Sequence, residues 1–180
     1  MNIELVEELY RLGARKVAEV AVEDIVFDEN FVTMCKQNAC GQYGRNYGCP
    51  PFMGPPETLI ADAKTYQKAY VFQTIGTLED SYDFEGMVEA GNIHQDICRD
   101  IDAWCKQHLE ITFKTLANGS CSICETCAAR TNEPCRFPEQ VLHSLDVYCI
   151  FVSELAKVAG MKYINGQDTV TYFGLVFVRE

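Results

Sequence analysis

Apolar and polar positions alternate in a way that predicts helices and strands in turn. Asn2 can cap a short helix that ends at Gly13, and the Val- and Ile-rich segment 17–27 favours extended chain. The pair of prolines at 55 and 56 is typical of a helix start, which predicts a helix over 55–66. Segment 68–77 then has the β-branched and aromatic composition of a strand.

The second half of the chain continues this alternation. The clearest helix ends at Leu109, because apolar side chains before it recur at spacings of three and four. We expect a strand over 111–117, a helical stretch over 139–159 that can break near Tyr148, and an apolar last strand over 169–178. The sequence therefore predicts an α/β or α+β sandwich of about four strands with flanking helices.

Length and composition favour a single domain over residues 1–180. A chain of 180 residues that is 48% hydrophobic can build one compact core, and no Pro/Ser-rich linker divides it. No apolar run approaches the roughly 20 residues of a membrane span. The N-terminus is acidic and amphipathic, unlike a secretory signal. We therefore expect a cytoplasmic protein that does not contact a membrane.

The charge balance limits the partners of the protein. The net charge is −11, from 26 acidic and 15 basic residues. Such a surface repels phosphate backbones, so we expect no nucleic-acid binding. Acidity of this kind confers solubility, and it also suits docking to a basic redox partner or enzyme.

A run of closely spaced cysteines carries the strongest chemical signal. Cys121, Cys124 and Cys127 follow one another at a spacing of three, and Cys135 lies eight positions later. This is the spacing of the bacterial iron–sulfur run C-x2-C-x2-C, in which the thiolates surround one cubane cluster. Ten cysteines in a reducing compartment favour metal ligands over a disulfide framework.

A second cysteine group precedes this run in the chain. Cys35, Cys40 and Cys49 lie in a glycine-rich segment that predicts a tight loop, and Cys49 is followed by two prolines. A proline directly after a ligand cysteine shields the sulfur, as in the ferredoxin run. Together the two groups predict two cysteine-rich metal-binding loops, with seven candidate ligands: Cys35, Cys40, Cys49, Cys121, Cys124, Cys127 and Cys135.

The other cysteines and two of the histidines have ordinary structural roles in the predicted elements. We expect His94, Cys98, Cys105 and Cys149 to be core residues, because each lies on a predicted apolar stripe, and His143 to be exposed. Three further residues lie close in sequence to the candidate ligands and can tune or shield a cofactor: Arg45, Tyr47 and Arg136. The chain carries no phosphate loop and no recognisable catalytic constellation, so enzymatic activity is left open.

Several of these motifs together resemble an uncharacterised family of predicted metal-binding, cysteine-rich proteins of anaerobic archaea and bacteria. The motifs are Cys40-Gly-Gln-Tyr-Gly44-Arg-Asn-Tyr-Gly-Cys49-Pro-Pro51, Gly119-Ser-Cys121-x2-Cys124-x2-Cys127-x7-Cys135-Arg-Phe-Pro138 and Val170-Thr-Tyr-Phe-Gly-Leu175. The chain has Tyr47 where that family tends to have tryptophan. The resemblance implies metal binding at the seven candidate cysteines, and it implies no reaction.

The cysteines allow two arrangements. In the local arrangement, Cys121, Cys124, Cys127 and Cys135 hold one four-iron cluster, while the earlier group holds a second metal with an open position. In the crossed arrangement, Cys49 completes the central site instead. An electron-transfer or accessory redox protein with one or two 4Fe-4S clusters is the favoured interpretation. The alternatives are a binding or regulatory module stabilised by zinc, and a metal or cluster carrier.

Overall fold

The computed structural model describes residues 2–179 and has an α+β fold. Within these residues it contains five α-helices and one five-stranded sheet. The helices are α1 (Ile3–Leu12), α2 (Asn30–Lys36), α3 (Pro56–Ala63), α4 (Phe84–His108) and α5 (Val152–Val158). The strands are β1 (Lys16–Ala21), β2 (Lys68–Thr77), β3 (Thr112–Ala117), β4 (His143–Ser144) and β5 (Thr169–Arg179). No helix in this part of the chain is both long and apolar enough to cross a bilayer.

The sheet is mixed and has the last strand at its centre. Its order is β1-β2-β5-β3-β4, and every pairing is antiparallel except that of β3 with β4. Leu175 of β5 pairs with Val71 on one side and with Leu116 on the other. This central position explains why β5 is apolar almost throughout, as the sequence predicts.

Helices cover both faces of this sheet, so the core has two parts. Alternate residues of β2 point to opposite faces: Val71 joins the cluster that includes Leu59 of α3 and Leu155 of α5, whereas Phe72 joins the cluster that includes Leu5 of α1 and Ile101 of α4. Cys98, Cys105 and His94 are fully buried, which confirms their assignment to the core.

The helix predicted over 139–159 is confirmed only in its last part, as α5, and is wrong for residues 139–151. This segment begins with a single 3-10 turn, forms β4, and becomes helical only at Val152. Cys149 has a φ of 59°, in the left-handed region that an α-helix does not include. Apolar residues nevertheless occur there at a helical spacing, and the fold buries some of them by other contacts. Leu145 donates a backbone hydrogen bond to the Ala117 carbonyl at the end of β3, and Ile150 forms a β-bridge with Phe27.

The predicted fold class is confirmed, and the fifth strand beyond the expected four or so is β4, a two-residue edge strand. Two smaller expectations are corrected. Helix α2, which carries Cys35, has no counterpart in the predicted elements. His143 is half-buried rather than exposed, since its ring packs edge-on against Tyr148. Cys149 is buried as predicted, but in a turn.

Candidate metal centre

The two cysteine-rich segments, loop 35–49 and loop 121–135, lie against each other in the fold. The Asn46 side-chain amide donates a hydrogen bond to the Cys121 carbonyl at 2.9 Å, and its oxygen accepts one from the Gly48 N–H at 2.9 Å. A Cβ atom at Gly48 would lie 3.0 Å from the Cys121 nitrogen, so glycine permits this close approach. The Tyr47 hydroxyl adds a second link by donating to the Glu133 carbonyl at 2.7 Å.

All four cysteines of loop 121–135 line one small cavity. Its volume is about 20 Å³, close to the space of a single water molecule. Each of the four thiol-bearing residues is half-buried. Most of the remaining lining is apolar, and Tyr47 and Arg136 complete it. The loop therefore collects its cysteines around one common space with a largely apolar lining.

The three cysteines of loop 35–49 line a separate and larger cavity of about 350 Å³. Cys35 comes from the last turn of α2, Cys49 from the turn before the proline pair, and Cys40 from an exposed turn between them. Polar groups from other segments complete this cavity, among them Ser120, Ser144 and Asp146. The two cysteine groups thus have two distinct cavities.

Burial controls the acidity of the thiols. It raises the pKa of Cys49 to about 12, and nearby Cys40, Cys35, Cys121 and Cys127 add to the effect. Burial also raises the pKa of Cys121, although a hydrogen bond from the Ile123 backbone and the charge of Arg99 oppose it. These thiols are therefore protonated at neutral pH, and a metal that binds them must displace protons.

The donor set suits a soft metal, but the sulfurs do not converge on one point. Among residues 2–179, no three or more His, Cys, Asp or Glu side chains are arranged to hold a metal ion. A single tetrahedral zinc would need its sulfurs about 3.8 Å apart, as Zn–S bonds of about 2.3 Å require. In a four-iron cluster each thiolate binds a different iron, so the sulfurs stay spread around a shared space. Four thiols around one cavity fit such a group by chemistry, although the loop must open to admit it.

Gln95 of α4 holds the start of loop 121–135 and was not anticipated from the sequence. Its side-chain nitrogen donates to the carbonyls of Asn118 and Ser120 at 2.7 and 2.5 Å. Its side-chain oxygen accepts from the backbone N–H and hydroxyl of Ser122 at 3.2 and 2.9 Å. A polar residue on the apolar stripe of α4 was the available signal. Asn46 was missed because its role depends on a contact 75 residues along the chain.

Two of the three residues predicted beside the cofactor lie at the cavity of loop 121–135. The Tyr47 ring packs on Phe52 with a centroid distance of 4.8 Å. Arg136 donates to the Thr126 carbonyl at 3.0 Å and so folds back over the loop. Arg45 is exposed and is not among the residues that line either cysteine cavity.

The fold and these cavities define an α+β protein with two cysteine-lined sites. Residues 18–178 match the family model described as predicted metal-binding protein (DUF2284), and the chain belongs to this family. Metal binding is thus the predicted property of the family as a whole. No curated protein and no solved structure matches the chain.

Proposed function

We propose that this protein is an iron–sulfur protein of the cytoplasm that acts in electron transfer or as an accessory redox protein. Cys121, Cys124, Cys127 and Cys135 would hold a 4Fe-4S cluster in loop 121–135. Cys35, Cys40 and Cys49 would hold a second metal centre in loop 35–49. The observation that carries the proposal is the single cavity shared by the four cysteines of a C-x2-C-x2-C loop.

The local arrangement of ligands has the stronger support. The four later cysteines line one cavity and the three earlier ones line another. Cys49 lines the cavity of Cys35 and Cys40 and is not among the residues that line the cavity of loop 121–135, which supports its grouping with the earlier cysteines. A centre with only three protein ligands leaves one position open for a further ligand, whereas a fully ligated cluster supplies one-electron transfer.

The surroundings of loop 121–135 suit electron transfer. Tyr47 and Phe137 cover its cavity, and apolar cover of this kind limits water and tunes the potential of a cluster. Arg136 lines the same cavity and would place a positive charge beside metal-bound thiolates. The net charge of −11 favours a redox partner with a basic surface.

Structural zinc is the second candidate, and the size of the cavity favours it. A space of about 20 Å³ accepts a single ion more readily than a cubane. Loop 121–135 would then be closed by one zinc bound to its four cysteines, and the protein would be a binding module. A metal or cluster carrier is the other alternative, and such a protein would release iron to a chelator or an acceptor protein.

Two serine variants test the assignment of ligand and core cysteines. Cys124→Ser should lose most of the iron bound in loop 121–135, because serine does not replace a thiolate toward a soft metal. Cys98→Ser is the matched control: Cys98 is fully buried between α4 and the sheet and should leave iron content unchanged. Iron per chain is measured after anaerobic reconstitution, with folding checked by circular dichroism. Equal iron losses in the two variants would refute the assignment.

A further inference from the structure

A third cavity, of about 350 Å³, adjoins the cavity of loop 35–49. The two cavities share Gly119, just after β3, and Asp146, in the turn after β4. These two residues separate this cavity, here named the aromatic cavity, from the cavity lined by Cys35, Cys40 and Cys49. The volume of the aromatic cavity falls within the range of small-molecule sites, roughly 300 to 1,000 Å³.

Five aromatic rings form much of the wall of the aromatic cavity: Phe31, Phe151, Tyr163, Tyr172 and Phe173. Two pairs among them are in direct contact. Phe31 and Phe151 meet edge to face at 5.5 Å between centroids, and Tyr163 stacks on Phe173 at 6.0 Å. The Tyr172 hydroxyl donates to the Met87 carbonyl and its ring packs on His94 at 5.9 Å between centroids, so Tyr172 is anchored to α4.

The polar groups of the aromatic cavity attract positive charge. Asp146 contributes a carboxylate, and within residues 2–179 no cationic side chain forms an ion pair with it. The Asn118 side-chain oxygen is buried and has no hydrogen-bond partner in the described chain. The residues that line the two adjoining cavities include no lysine, arginine or histidine. Phosphates and carboxylates therefore find no counter-charge here.

We propose that the aromatic cavity binds a small organic cation, an amine or a quaternary ammonium compound, between its aromatic rings and the Asp146 carboxylate. Aromatic faces attract ammonium groups through their quadrupoles, and quaternary ammonium ions are held in aromatic cages of this type. The carboxylate supplies the counter-charge. That the bound cation would lie next to a metal rests on the proposed function, whereas the binding itself does not.

The choline ion tests this assignment, with its neutral carbon isostere as the comparison. The two molecules have the same shape, so a difference in affinity reports on the charge alone. Isothermal titration calorimetry should give a dissociation constant for choline at or below about 1 mM. The isostere should bind at least about tenfold more weakly, as expected for loss of the cation–aromatic and carboxylate interactions.

Asp146→Asn keeps the shape of the side chain and removes its charge. This variant should weaken choline binding about tenfold and leave binding of the isostere unchanged. Glu7→Gln, an equal change of charge at an exposed position of α1, should leave choline binding unchanged. Any one of three results would overturn the proposal. These are equal affinity for choline and the isostere, no binding of choline at millimolar concentration, and unchanged affinity for choline in Asp146→Asn.

The titrations are made on protein of measured metal content, before and after chelation. Choline binding by protein that takes up no iron would contradict the proposed function and support the aromatic cavity. Iron loading without choline binding would support the proposed function and contradict cation binding in the aromatic cavity.

Discussion

Gln95 offers a quantitative test of how the cysteine loop is held. Replacing Gln95 by alanine removes four hydrogen bonds to loop residues, two donated and two accepted. The side chain is only 7% exposed, so the carbonyls of Asn118 and Ser120 would lose partners at a largely buried position. Each such bond contributes about 1 kcal/mol net. The sum is roughly 4 kcal/mol, and water reaching exposed Ser122 reduces the expected loss to about 2–4 kcal/mol.

The same helix supplies the control. Gln107 of α4 is exposed, so Gln107→Ala changes the same residue type in the same helix without touching the loop. Urea unfolding of metal-free protein, followed by circular dichroism, gives the free energy of unfolding of each variant. Gln95→Ala should also take up less metal, because its loop is no longer fixed at its start. A free energy of unfolding for Gln95→Ala within about 0.5 kcal/mol of that for Gln107→Ala would refute the reasoning.

Two further predictions concern the core. Burial lowers the pKa of His94 from 6.5 to about 4, so the unfolded chain binds a proton that the folded chain does not. Stability should therefore be full above pH 6.5 and fall by up to roughly 3 kcal/mol as the pH drops toward 4. Urea unfolding at a series of pH values measures this loss of stability. The loss should be smaller in His94→Gln and unchanged in the exposed control His108→Gln. Equal losses in the two variants would contradict the prediction. Gly174→Ala would place a Cβ 2.2 Å from the buried Phe72 ring, so its free energy of unfolding should drop by at least about 2 kcal/mol. The control Thr112→Ala, at an exposed position of β3, should change the free energy of unfolding by less than about 0.5 kcal/mol. Equal changes in the two variants would contradict tight packing of β5 against Phe72.

The regular elements were predictable wherever local pattern and tertiary burial agree. Strand β2 has the predicted bounds, 68–77, because its composition and its place inside the sheet favour the same conformation. Helix α4 likewise follows its apolar stripe up to His108. The prediction failed for 139–151 because Leu145 is buried by long-range contacts, among them its hydrogen bond to the Ala117 carbonyl, rather than by a helix face.

The candidate site was only partly accessible to the sequence. The spacing of Cys121, Cys124 and Cys127 marks a loop that can surround a centre, and the structure brings these residues to one cavity with Cys135. The positioning groups could not be predicted, since Gln95 and Asn46 act across 23 to 75 residues of chain. The aromatic cavity could not be predicted for the same reason, because its rings come from four separate places in the chain.

The most direct test of the central claim is the content of iron, zinc and acid-labile sulfide per chain in protein purified without oxygen. We predict iron and sulfide in equal amounts, about four of each for one cubane and about eight for two. Zinc without sulfide would contradict this prediction and would make loop 121–135 a structural zinc site.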